Sequence, residues 1–95
     1  MQMNYVKWDL GILQAGDVIE ITLTRAANVR LMTPSNLASY RNGRRHQFHG
    51  GLVNTSPFHL TVPSSGQWHL TIDTAGLAGS TQASVQVLPR PLPPA

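Results

Sequence analysis

Apolar and polar residues alternate with a period of two along most of this chain. Ile19, Ile21 and Leu23 alternate with Glu20, Thr22 and Thr24. Val29 and Leu31 alternate with Arg30 and Met32, and Phe58, Leu60 and Val62 with His59 and Thr61. Trp68, Leu70 and Ile72 alternate with His69, Thr71 and Asp73, and Ala83, Val85 and Val87 with Ser84 and Gln86. Successive strand residues point to opposite faces, so each run predicts a half-buried strand. Tyr5 to Leu10 and Gln47 to Val53 are less regular strands. Gly, Pro, Ser and Asn separate the runs. About seven short strands with such punctuation predict an all-β fold: a single antiparallel β-sandwich, jelly-roll-like, over residues 1–88. Its expected core is Ile19, Ile21, Leu31, Leu60, Trp68, Leu70, Ile72 and Val85.

The parity of the Val62 to Trp68 spacing suggests a hairpin. Pairing Val62 with Trp68 keeps both apolar sets on one side, whereas a slip of one residue exposes Trp68. That register sets Thr61 opposite His69 and His59 opposite Thr71, with the two histidines diagonal neighbours. Residues 34–45 break the pattern. Ser35 is placed to cap a short helical turn over Leu37 to Tyr40, which Asn42-Gly43 ends; Asn-Gly is equally a hairpin turn.

The ends differ from the body. Pro89-Arg90-Pro91-Leu92-Pro93-Pro94-Ala95 lacks the amide donors of a strand and reads as a Pro-rich tail, polyproline II or disordered. The N-terminus lacks the basic and apolar regions of a secretory leader, and no apolar run reaches a membrane-spanning length, so the expected compartment is the cytoplasm, with no membrane partner. Asn54-Thr55-Ser56 matches a glycosylation acceptor by chance, since Pro57 follows it and no leader is evident.

Composition narrows the chemistry. The 95 residues contain no Cys, which excludes disulfides and cysteine-ligated metals. Only four acids are present, Asp9, Asp17, Glu20 and Asp73, at positions suited to turns, a polar strand face and a strand end. Neither a nucleophile elbow nor a phosphate-binding glycine loop occurs, so no enzyme activity, catalytic residue or cofactor is expected. His46, His49, His59 and His69 form no closed ligand set, and no metal is expected.

Arg41, Arg44 and Arg45 gather three of the seven cations within five residues, with Asn42 between and His46 and His49 following. No acid lies from Pro34 to Leu60. Guanidinium forks match phosphate and carboxylate geometry. The segment is therefore a candidate site for a small anion, a nucleotide-like ligand or an acidic protein surface, with Arg41 and Arg44 as a clamp across the Asn42-Gly43 turn. It is equally a solvated basic loop. The alternative reading is a structural or interaction domain acting by sheet-edge pairing or homo-oligomerisation.

Ordered stretches over about residues 5 to 88 resemble a bacterial family known as domain of unknown function 1883. They are Trp8-Asp9-Leu10-Gly11, Gly16 to Glu20, Ala27 to Met32, Ser39 to Arg44, Phe48 before Gly50-Gly51, Ser56-Pro57, and Ser65 to His69. The resemblance implies a β-sandwich that stands alone or as an accessory domain, sometimes beside a TIR-type signalling domain. It brings no established activity and no functional residue. More loosely, the strand plan is similar to jelly-roll-like accessory domains of secreted peptidases.

Overall fold

The computed structural model describes residues 5–77 and 81–88. The Pro-rich stretch 89–95 lies outside the described residues. In chain order the elements are β1 (Val6–Leu13), β2 (Val18–Leu23), β3 (Ala27–Met32), α1 (Pro34–Arg41), β4 (His49–Val53), β5 (Phe58–Thr61), β6 (Gly66–Asp73) and β7 (Ala83–Leu88). Four strands form one sheet in the order β1-β6-β3-β4, and three form the other in the order β5-β2-β7. All pairings are antiparallel. The fold is the all-β sandwich that the alternation predicts.

The core lies where the two inner faces meet. Ile19 and Ile21 of β2 are fully buried against Val29 and Leu31 of β3 and Leu70 of β6. Trp68 is 4% exposed, and its Nε1 donates to the Ser64 carbonyl at 2.9 Å, so the indole is buried without an orphaned donor. Burial of each such side chain contributes about 1.5–3 kcal/mol relative to exposure. Leu60 and Val85, expected in the core, are half-buried at its margin.

The hairpin expected between residues 58–62 and 68–73 does not form. β5 pairs with β2, while β6 pairs with β1 and β3 in the other sheet. The connection through Val62 to Ser65 crosses from one sheet to the other. The apolar sets of β5 and β6 face the core from opposite layers, which satisfies the same alternation without pairing the strands. Thus His59 lies opposite Glu20, and His69 lies opposite Asp9 and Met32.

Residues 34–41 form a two-turn helix. Pro34 occupies its first turn, where a missing N–H costs nothing. Thr33, not Ser35, stands at the N-cap and makes no side-chain capping bond. At the other end the Gly43 amide donates to the Tyr40 carbonyl at 3.2 Å and the Arg44 amide to the Ser39 carbonyl at 2.8 Å. This is a Schellman closure, with Gly43 at φ +67° in the left-handed region. Asn42-Gly43 therefore ends a helix and is not a hairpin turn. The helix lies on the outer face of β6 and β3, burying Met32, Leu37 and Tyr40 as a second small cluster with Tyr5 packed against it. Among the described residues no helix is long and apolar enough to cross a membrane.

Candidate functional site

The segment singled out by charge, residues 41–49, divides into parts with different tasks. Arg41 is the last residue of α1, where a cation complements the helix dipole, and its Nε donates to the Tyr5 hydroxyl at 2.8 Å. Asn42 closes the helix: its Nδ2 donates to the Ala38 carbonyl at 2.9 Å. Arg44 and Arg45 are exposed, and neither guanidinium has a partner among the described residues. His46 is half-buried, and its Nδ1 donates to the Arg44 carbonyl at 3.1 Å. Its ring packs edge-on to Tyr40, with centroids 5.1 Å apart, and tilted against Phe48 at 5.7 Å. His49 opens β4 opposite Leu31, and its ring meets Trp68 edge-to-face at 5.9 Å. Strand alternation separates it from Phe48, so His49 does not join the His46 cluster.

The clamp of Arg41 and Arg44 across a hairpin is not built. Arg41 is engaged by Tyr5, and the turn between the two residues is the helix terminus described above. Arg44 and Arg45 are the cations of the segment without a partner among the described residues.

Sequence reasoning missed a network centred on Asp73. Asp73 ends β6 on the outer face, directly opposite Asn28 of β3. Its Oδ1 accepts from Asn28 Nδ2 at 2.8 Å and from the Ala75 amide at 3.0 Å. Its Oδ2 accepts from Arg30 Nη1 at 2.6 Å and from the Tyr40 hydroxyl at 3.2 Å. The Arg30 guanidinium also lies over two rings, 5.4 Å from the Tyr40 centroid and 5.3 Å from that of Phe48. One outward arginine thus receives a carboxylate and two aromatic faces. The register that places Asn28 opposite Asp73 is a tertiary fact. In the sequence both residues show only as polar positions on outward strand faces.

Titration behaviour follows from this packing. Burial is the largest single influence on Asp73 and pushes its pKa up. The Asn28 amide, the Ala75 N–H, the Arg30 charge and the Tyr40 hydroxyl together outweigh it, and the carboxyl ends below its usual value. Burial, then the Asp73 charge, raises Tyr40 to about 12, with Arg30 opposing. Arg30 is committed to Asp73 and the rings, so the network is a support for α1 and the segment that follows it.

The other acids are occupied elsewhere. Asp9 accepts from the Gly11 amide, Asp17 from the Gln14 amide, and Glu20 lies 3.1 Å from His59. His69 is buried, with Nδ1 3.8 Å from Asp9 Oδ1. No group of three or more His, Asp or Glu among the described residues is placed to hold a metal ion.

No curated protein and no solved structure matches this chain. A family model does: domain of unknown function 1883 (DUF1883) matches residues 3–91, in line with the ordered stretches of the sequence, and the chain belongs to that family.

Proposed function

We propose that this chain is a non-catalytic cytoplasmic recognition module. Residues 41–49 meet a small anion, a nucleotide-like ligand or an acidic protein surface, with Arg44 and Arg45 as the contacting cations. The observation that supports this most is the contrast between the arginines. Arg30 has Asp73 and two rings, and Arg41 has Tyr5, while Arg44 and Arg45 stand exposed with no acid beside them among the described residues. Bringing guanidinium groups together costs repulsion unless water or a counter-charge offsets it. The Schellman turn and the His46–Phe48 packing fix the backbone on either side of the pair, which lowers the ordering cost of binding.

Calorimetry of wild type and an Arg44→Ala/Arg45→Ala variant against inorganic polyphosphate and an acidic peptide, at two salt concentrations, tests this. Binding by wild type should weaken as salt rises. The double variant should lose about 1.5–3 kcal/mol, the range of hydrogen bonds to charged groups. Equal binding by the two proteins, or none by either, rejects the reading.

A second reading, self-association or partner binding through a sheet edge, is favoured by β4. Among the described residues it ends its sheet with only β3 as ladder neighbour, and it carries no charge of fixed sign within His49–Val53 and exposes Leu52 by 62%. Edges are usually blunted by Lys, Pro or a bulge. β1, at the other end of that sheet, has Lys7 and a bulge at Asp9 to Gly11. Sedimentation that depends on protein concentration and hardly on salt would favour the edge over the basic segment.

A further inference from the structure

A separate concavity lies between the β2–β3 connection, residues 24–26, and the β4–β5 connection that begins at residue 54. Its volume is about 180 Å³, and Thr24, Arg25, Asn54, Thr55 and Ser56 supply its polar lining. We propose that it binds a small oxyanion, a phosphoryl, sulfuryl or carboxylate group. The Arg25 guanidinium supplies the charge, and the Asn54 amide and the Thr55 and Ser56 hydroxyls supply further donors.

Three observations carry this. The first is an excess of donors. Among the described residues no carboxylate lines the concavity, and Arg25 is the only ionisable side chain there. The Ser56 hydroxyl already accepts from the Leu23 amide at 2.9 Å, which leaves its proton to donate. The side chains of Arg25, Asn54 and Thr55 have no acceptor among the described residues. A ligand suited to this lining brings acceptors and negative charge.

The second is that the lining is held in place. The Arg25 amide donates to Thr81 Oγ1 at 3.1 Å, and the same hydroxyl donates back to the Arg25 carbonyl at 3.0 Å. Thr24 Oγ1 accepts from the Gln82 amide at 2.8 Å. The backbone at Arg25 is thus anchored to the strand entering β7, while its guanidinium has no partner among the described residues. The Ser56 bond to Leu23 ties the β4–β5 connection to the end of β2. Donors on an anchored backbone bind with less ordering cost than donors on a loose loop.

The third is size and comparison within the chain. The volume is well below the roughly 300–1,000 Å³ of sites for drug-sized molecules, so the fit is a small group and not a whole cofactor. Arg30, on the strand that follows this connection, holds the Asp73 carboxylate through Nη1 at 2.6 Å, and guanidinium groups bind phosphate as readily as carboxylate. Arg25 has the guanidinium and surrounding donors, and no acid among the described residues meets it.

An amide-resolved NMR titration of the full chain tests the site. Sodium phosphate, sodium sulfate and sodium acetate are each compared with sodium chloride at matched ionic strength. The expected result is saturable shifts at the amides of Arg25, Ala26, Thr55 and Ser56 with at least one oxyanion and not with chloride. A response to phosphate and sulfate alone identifies a tetrahedral oxyanion, and a response to acetate as well identifies a site open to carboxylates. Arg25→Ala should abolish these shifts with the rest of the spectrum unchanged. Arg25→Lys should weaken binding about tenfold, because it keeps charge without the fork. Arg44→Ala/Arg45→Ala should leave them intact, so failure here is distinguishable from failure of the basic-segment reading. Shifts that do not saturate, that chloride reproduces, or that survive in Arg25→Ala overturn the proposal.

Discussion

The outer faces of the two sheets begin from the same kind of sequence and end in opposite environments. β6 sends His69, Thr71 and Asp73 outward, and β2 sends Val18, Glu20 and Thr22 outward. On the three-stranded sheet that face stays open: Thr22 and His59 are exposed and the Glu20–His59 pair is in contact with water. On the four-stranded sheet α1 lies across the face, and His69, Thr71 and Asp73 are buried, Thr71 completely, while Gln67 near the start of β6 stays exposed. A polar period of two therefore shows which residues point away from the core. It does not show whether water is there. Under the helix, polar groups need protein partners, and Asp73 has four donors where Glu20 has one. His69 Nδ1 and Thr71 Oγ1 are buried without a hydrogen-bond partner among the described residues, a desolvation cost of the covered face.

The largest expected effect removes the layer that both faces share. Trp68→Ala deletes a buried indole between the sheets and should cost about 3–5 kcal/mol in urea denaturation. Small domains have only about 5–15 kcal/mol in total, so the variant should be close to unfolding at room temperature. A loss under about 1 kcal/mol would show that the core does not depend on this ring, and the two faces would then need separate accounts of their stability.

Next in size is Asp73→Ala, which attacks the covered face alone. It leaves Arg30, Tyr40 and Asn28 without their shared acceptor. Breaking a buried pair by removing one partner costs about 3–5 kcal/mol. The Arg30 side chain is 22% exposed and can recover some hydration, so about 2–4 kcal/mol is expected here. The measurement is again urea denaturation, with near-ultraviolet dichroism reporting Tyr40. A loss within experimental error would mean that α1 holds the face without the network, and the contrast with β2 would lose its energetic content.

The fold was legible because alternation is local: Ile19, Ile21, Leu31, Trp68, Leu70 and Ile72 each declare their side by their neighbours in sequence, and all six are buried. Strand pairing was not legible by the same means. The alternation of residues 58–62 and 68–73 is satisfied both by two strands of one hairpin and by two strands facing each other across a core, and the chain adopts the second. The basic segment was visible as a run of charge, and Asn42-Gly43 as a stop signal. What divided its arginines was not visible, because Tyr5 and Arg41 meet across 36 positions and Arg30 and Asp73 across 43. The Arg25 concavity was hidden for the same reason: its two connections are far apart in sequence and joined by Ser56 reaching Leu23. The amino-acid pattern there reads only as a glycosylation triplet.

Acid should separate the two faces by a smaller amount. The folded-state pKa of Asp73 lies below its unfolded value, so native protein binds fewer protons at this site than unfolded protein does. Its contribution is fully present above the unfolded carboxylate range, near pH 4, and is lost as pH falls through the lower folded value. The loss should be smaller than that of Asp73→Ala, because a protonated carboxyl still accepts from Asn28 and the Ala75 amide. Urea denaturation from pH 6 down to pH 2 measures it, and in Asp73→Asn the slope below pH 4 should be shallower by this one group. Equal slopes in the two proteins would place the acid sensitivity on other carboxylates. At the alkaline end the sign reverses: Tyr40 is raised to about 12, so its contribution is present below pH 10 and is lost as pH rises toward 12. The Tyr40→Phe variant should lack that decline.

The smallest effect is expected on the open face. Glu20→Gln removes the charge beside His59 and keeps the shape of the side chain. The two side chains are 32% and 48% exposed, so each keeps much of its hydration whether or not the other is charged. Exposed pairs of this kind contribute about 0–1 kcal/mol, and Gln retains an acceptor for the imidazole N–H. The expected loss at pH 7 is under about 0.5 kcal/mol, reduced further by salt. Denaturation curves of Glu20→Gln and wild type at low and high salt measure it, beside Asp73→Asn under the same conditions. If Glu20→Gln lost as much as Asp73→Asn, the face of β5-β2-β7 would be supported by its charge pair as strongly as the helix-covered face is by its network. Exposure would then be a poor guide to which polar positions of this sandwich carry stability. A loss confined to Asp73→Asn ties stability to the covering helix, and leaves the open face free to change without cost to the fold.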